Sequence, residues 1–353
     1  MKYFSQKHFR FVILPFLVLF IISCSSVTYE KIYPTLQDGK YDSEFPYKGC
    51  SDQLEEISIT TKRIHSTAFY KTYTFNPSHK LKLDEIISDN PSELAVTEGY
   101  ADQTSSGTGT IIYSGIGKVA LLTCAHIINY PDTTVSYFAD ADGNKTEFVD
   151  VILIKESQYV YVAGFRGNSQ VEILAMDTEL DLAIIGRDYG AFSDAVFPVF
   201  NYPLGKAKEL EWGTFVYVFG YPLSYLMITR AIVSTPNKDE SGSFVLDAVV
   251  NRGSSGALVL AIKDGVQNFE LVGIVQWVPD EETNILTPKR LKNNEGYNPI
   301  VPYTGEEFVK RYSSIRYGIA NIISIETVVG FLEKNRQVLN EKKFYIDGFL
   351  NGQ

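Results

Sequence analysis

The sequence predicts an all-β protein of two barrels followed by a C-terminal helix. Three observations carry that prediction. Tyr (23) and Phe (22) are plentiful, and many segments alternate polar with apolar residues, as half-buried strands do. The strand-like runs fall into two sets of about six, which fits two six-stranded barrels. Between the sets lies 187–210, a linker-like stretch punctuated by Gly190, Pro198, Pro203 and Gly205. A chain of 353 residues with 45% apolar content has ample material for such a core.

The elements follow in order. Residues 1–23 read as a leader. Lys2, Lys7 and Arg10 precede an apolar run of 12 residues, Phe11 to Ile22, with Pro15 inside it. A helix of that length spans about 18 Å, short of the ~30 Å bilayer core. The run ends in Ile21-Ile22-Ser23-Cys24, an apolar and then a small residue before a cysteine. Residues 24–50, with Pro34, Gly39, Pro46 and Gly49, read as a tether. In 51–100, set apart as an N-terminal extension, Ile57 to Phe75 suggests strands and Leu81 to Ser88 a short helix.

Barrel one is expected over about 101–190. Thr108 to Tyr113 enters the turn Ser114-Gly115-Ile116-Gly117, and Lys118 to Thr123 returns as its hairpin partner. Thr133 to Phe138, Phe148 to Ile154, Tyr159 to Ala163, Val171 to Met176 and Leu182 to Ile185 complete the set. Barrel two is expected over about 210–324. Its strands are Thr214 to Phe219, Met227 to Ser234, Phe244 to Val249, Ala257 to Ile262, Glu270 to Val278 and Arg316 to Ile322, with 279–315 an insertion before the last. Ser324 is a natural N-cap for an amphipathic helix over 325–335.

Charge narrows the partners. The formal charge is −10, and loss of residues 1–23 would take it to −13. No run of Lys or Arg offers nucleic acid a basic face. No Cys/His set has zinc spacing, and no cofactor is implied. Cys50 and Cys124 could be joined in an exported protein, although a small buried Cys124 beside a free Cys50 is the preferred reading.

Three short stretches carry chemistry. His126 closes Leu122-Thr123-Cys124-Ala125-His126, just beyond an apolar strand that can aim it into a cleft. Asp181 leads into the buried run Leu182-Ala183-Ile184-Ile185, where a carboxylate is partly desolvated. Ser255 stands in Gly253-Ser254-Ser255-Gly256-Ala257, whose glycines permit a tight turn with backbone N–H groups aimed at one oxygen. A serine hydroxyl is a poor nucleophile until an imidazole takes its proton, and the imidazole needs a carboxylate to hold its tautomer. By composition alone Ser254 is an alternative nucleophile, and His65 and His79 read as structural.

In that order, His, Asp, Ser, the stretches resemble the trypsin-like serine peptidases, nearest the bacterial HtrA/Deg group. Gly107-Thr108-Gly109-Thr110, Gly220-Tyr221-Pro222, Gly273-Ile274-Val275 and Gly318-Ile319-Ala320 extend the resemblance over about residues 100–335. It implies the two-barrel fold, with Ser255 attacking a peptide carbonyl, His126 as base and then acid, Asp181 orienting it, and the N–H groups of Gly253 and Ser255 as the oxyanion hole. It also implies a specificity pocket near Val249, Gln276, Trp277 and Val278, whose valines point to small apolar side chains before the cut. The Ile21-to-Cys24 pattern resembles a lipobox, implying a lipid on Cys24. That implies an exported, membrane-anchored protein in the cell envelope, and Ser25 leans toward an outer membrane. About 30 residues follow the last expected strand, too few for a PDZ module. Ser254, Ala257 and Leu258 depart from the usual loop pattern. A catalytically inactive binding or scaffold lipoprotein is the alternative. An α/β-hydrolase esterase is disfavoured by the residue order and the shortage of helix.

Overall fold

The computed structural model describes residues 37–352 apart from 141, 168, 192, 278–279, 289–299 and 316–317. The expected leader, Cys24 and the first part of the tether lie outside the described residues. Residues 37–50 do not hang free. Tyr41 and Cys50 are buried, Asp42 donates its N–H to the Ile262 carbonyl, and the Asp42 carbonyl accepts from Phe215. This end of the expected tether is pinned to barrel two because its aromatic and apolar side chains find a buried place there.

A helix α1 (Ser51–Ser58) leads into β1 (Thr61–Thr74). In β1, Ile64, Ser66, Ala68 and Tyr70 alternate inward, and the residues between them face out. After α2 (Leu83–Ser88) and α3 (Pro91–Leu94) come β2 (Thr97–Gly115), β3 (Lys118–Thr123), β4 (Thr133–Ala139), β5 (Lys145–Val162), β6 (Gln170–Asp177) and β7 (Leu182–Asp188). The order β1-β2-β3-β7-β6-β5 returns to β1 through the β1–β5 pairing, which closes a six-stranded barrel with β4 alongside β5.

Two expectations need correction here. Residues 61–74 are not an extension outside barrel one but one of its walls, paired from Thr61↔Thr110 to Thr74↔Thr97 and from Ile64↔Val162 to Thr74↔Val151. Only the far end forms a separate layer, where Ile86 of α2 packs with Tyr73, Phe75, Val149 and Ile152. Phe148–Ile154 and Tyr159–Ala163 are one strand, not two. The polar residues between them are accommodated on the outside, with Lys155 paired to Asp132 at 2.8 Å and Gln158 donating to the Ile128 carbonyl.

Barrel two follows the irregular stretch after β7. It comprises β8 (Phe215–Gly220), β9 (Met227–Thr235), β10 (Phe244–Ala248), β11 (Leu258–Ile262) and β12 (Phe269–Trp277), then a hairpin β13 (Asp280–Pro288) and β14 (Glu307–Ile315), and finally β15 (Gly318–Ser324). Six of these close in the order β10-β15-β12-β11-β8-β9. The expected insertion 279–315 contains the hairpin, paired from Asp280↔Ile315 to Pro288↔Glu307. The Ser324 hydroxyl accepts from the Thr327 N–H and caps α4 (Ile325–Glu341), which buries Val328, Phe331 and Leu332. A last turn α5 (Asp347–Leu350) seats Phe349 against Phe200. No described helix is long and apolar enough to cross a membrane.

Candidate active site

His126 and Asp181 meet because their strands are neighbours. β3 and β7 pair in register through Thr123↔Ala183, so the residues just beyond one strand and just before the other lie together. His126 sits on a single 3-10 turn, Ala125–Ile127, and Asp181 takes φ +56°, a left-handed conformation that aspartate adopts more readily than most residues. The pair is locked from backbone and side chain alike. Ala125 N–H donates to the Asp181 carbonyl at 3.1 Å, and His126 N–H donates to Asp181 Oδ1 at 2.9 Å. The imidazole Nδ1 lies 2.8 Å from Oδ2 and 3.0 Å from Oδ1. A carboxylate facing Nδ1 favours, for the neutral ring, the tautomer with the proton on Nδ1 and the lone pair on Nε2. The aspartate side chain is 14% exposed and the histidine 43%, so the carboxylate is sheltered and the ring reaches solvent.

Cys124 lies beside this pair. Its thiol donates to the Val275 carbonyl at 3.3 Å, and burial pushes the thiol well up from its ordinary value. Donor atoms of Cys124, His126 and Asp181 lie within 4.8 Å of one another. Cys50, beside the Tyr217 hydroxyl, and Cys124 are both free thiols.

The serine loop is built differently. Gly253 has φ +98° and Gly256 φ +82°, where a Cβ would overlap the carbonyls of Tyr221 and Thr108 respectively. The two serines differ in burial. Ser254 is buried, with its N–H on the Asn251 carbonyl and its hydroxyl accepting from Asn251 N–H, whereas Ser255 lines the cleft with His126. The Arg252 carbonyl accepts from Leu223 N–H at 2.9 Å. In a trans peptide the C=O and N–H point in opposite directions, so the Gly253 N–H is turned away from Leu223. Ala257, which departs from the resemblance, is buried and faces Gly220, whose missing side chain leaves room for the extra methyl.

Sequence reasoning missed Thr108. It is fully buried on β2 and reaches across from barrel one. Its N–H donates to the Ser255 carbonyl (2.8 Å), its hydroxyl donates to the Gly253 carbonyl (2.8 Å), and that hydroxyl accepts from Tyr221 N–H (2.9 Å). Thr123 in turn donates to the Thr108 carbonyl. Its place between Gly107 and Gly109 is the one local feature that could have singled it out.

The cleft has a volume of about 1000 Å³ and runs from Ser255 and His126 past Gly253 and Ser224 onto the outside of barrel one. His65, read as structural, lines it, while His79 lies on a separate turn, Pro77–His79. Two of the four residues expected around a specificity pocket can be placed. Val249 is 73% exposed and does not line this cleft, because it falls just past the end of β10 and turns outward. Gln276 lines a separate small cavity with Lys238 and Asn321. The Trp277 side chain and Val278 lie outside the described residues.

Residues 107–274 match the family model described as a trypsin-like peptidase domain. Among solved structures, the chain is similar to a serine-to-alanine variant of the HtrA-type protease AlgW with a decapeptide. That pair is 16% identical with a TM-score of 0.42, covering 83% of this chain and 68% of that one. It is similar also to AlgW with a tripeptide (14% identity, TM-score 0.42, 84% of this chain and 65% of that one). Deg5 is a third (14% identity, TM-score 0.35, 64% and 83%). The chain thus spans about two thirds of the AlgW chains. No curated protein sequence matches it.

Proposed function

We propose that the trypsin-like peptidase domain of this chain is a working serine endopeptidase, with Ser255 as nucleophile, His126 as general base and Asp181 as its orienting carboxylate. The observation that carries this reading is the double contact between His126 and Asp181 beside a cleft shared with Ser255. With Nδ1 held by the carboxylate, Nε2 takes the proton as Ser255 Oγ bonds to the scissile carbonyl carbon. The oxygen of that carbonyl gains negative charge, and the N–H groups of Gly253 and Ser255 receive it. One such donor is worth about 2.7–4 kcal/mol of barrier. The C–N bond then breaks, and His126 returns the proton to the leaving amine. Water repeats the sequence on the acyl-enzyme, releasing the acid and restoring Ser255.

The test is labelling of the full chain with a fluorophosphonate probe, beside Ser255→Ala and His126→Ala variants. Labelling of the parent, lost in both variants, is the expected result. A folded parent that does not label would instead favour the inactive scaffold. We further propose export and a lipid on Cys24, a reading supported by the leader and lipobox patterns in residues 1–24. Incorporation of radiolabelled palmitate that disappears in Cys24→Ala is the expected outcome. Incorporation that persists in the variant would reject the anchor.

A further inference from the structure

Beyond Ser255 the cleft changes character. Its lining includes Arg63, His65 and Arg252 but no Asp or Glu among the described residues, on a chain whose formal charge is −10. Strand alternation explains how the first two come to be there. Ile64 and Ser66 are buried inside barrel one, so Arg63 and His65 turn out onto its surface. The register sets His65 between Ser106 on β2 and Tyr161 on β5, and Arg63 opposite Thr108, the residue that holds the serine loop. Two residues apart on one face, the basic groups are about 7 Å from each other along the strand. Arg63 is half-buried and makes no ion pair with any described residue. A guanidinium offers a planar fork of donors that matches a carboxylate, and a partly desolvated one gains most from such a partner.

We propose that this arm of the cleft selects peptides that carry an acidic side chain, Asp or Glu, and that Arg63 and His65 are the residues that recognise it. Ser106, directly across from His65 on the same face of the sheet, offers its hydroxyl to the same carboxylate. For catalysis the proposal rests on the peptidase reading, but for binding it does not, and the experiment separates the two. The full chain carrying Ser255→Ala, which cannot turn over, is titrated by fluorescence anisotropy. The probes are octapeptide pools with amidated C-termini, each holding Glu, Gln or Lys at one fixed position and random elsewhere. Amidation leaves side chains as the only carboxylates.

At one position at least, the Glu pool is expected to bind about tenfold or more tighter than the Gln pool, a gap that narrows as salt rises. Adding Arg63→Ala should reduce the gap to about twofold, and Arg63→Lys should keep part of it. Adding Arg63→Glu should turn the preference toward the Lys pool, a gain that misfolding does not produce. Equal binding of Glu and Gln pools at every position would overturn the proposal. So would a gap that survives Arg63→Ala combined with His65→Ala. Fluorophosphonate labelling of the parent reports on the peptidase reading alone, so a silent parent with selective binding sinks that reading and leaves this one standing.

Discussion

The two halves of the site are held by opposite means. On barrel one, His126 and Asp181 stand at the ends of adjacent strands, and the register of β3 on β7 is enough to bring them together. On barrel two, Ser255 sits on a loop whose shape depends on two glycines and on Thr108, a residue of the other barrel. The first half inherits its rigidity from a sheet. The second is assembled across the interface between barrels, so its geometry exists only when both have folded and docked. His126 and Asp181 are therefore set by local strand pairing, and Ser255 by long-range packing.

Breaking the barrel-one half directly should have the largest effect. Asp181→Asn keeps the shape but replaces a pure acceptor with an amide. That favours the wrong imidazole tautomer, and kcat should fall about 10⁴-fold while the melting temperature changes little. Steady-state kinetics on a cleaved peptide would show it, and a loss under tenfold would deny Asp181 its orienting role.

Thr108→Val tests the other half. It keeps the volume and removes the hydroxyl, leaving the Gly253 carbonyl and Tyr221 N–H without their partner. Two unmade hydrogen bonds should cost roughly 2–4 kcal/mol of stability. The rate of fluorophosphonate labelling should drop as the loop loosens, and Thr108→Ser should recover most of both. If Thr108→Val labels like the parent, the loop does not depend on barrel one, and the contrast between the halves collapses.

A third substitution sharpens the comparison by acting on barrel two away from the site. Asp42 is buried where its Oδ2 accepts from Gly265 N–H, while its Oδ1 has no hydrogen-bond partner among the described residues. Burial first, and then the neighbouring Glu44, Asp264 and Asp38, push its carboxyl up from 3.8 to about 6. The folded protein thus holds this proton more tightly than the unfolded chain. Stability is therefore lost as pH rises from about 4 to beyond 6, by up to about 3 kcal/mol. Asp42→Asn keeps an acceptor for Gly265 and carries no charge. Its melting temperature should match the parent's near pH 4 and exceed it at pH 8, with unchanged labelling of Ser255. A stability difference independent of pH would rule out this titration.

Much of this architecture was legible in local pattern. The apolar run Val119 to Leu122, set between Lys118 and Thr123, marks a strand with the boundaries the structure shows, and Ser324 marks the start of α4, which continues past the expected end to Glu341. The polar stretch Lys155 to Gln158 reads as a break, yet β5 runs through it because those side chains face outward and find partners there. Residues 61–74 read correctly as strand and wrongly as a separate extension, since alternation reveals which face is apolar but not which strand lies alongside. His65 shows the same limit. Nothing near it in sequence distinguishes it from His79, and only its place in the cleft does.

By itself, then, the sequence determined what repeats at short range. It specified the period of the strands, the cap of the helix, and the types of residue around His126, Asp181 and Ser255. Tertiary structure alone decided that β1 closes barrel one and that Thr108 clamps the serine loop. It also decided that Arg63 and His65 share a cleft with Ser255, some 190 residues further along the chain. The reason is physical. Side-chain periodicity follows from the geometry of a single strand, whereas these juxtapositions depend on pairings that form only when distant segments meet.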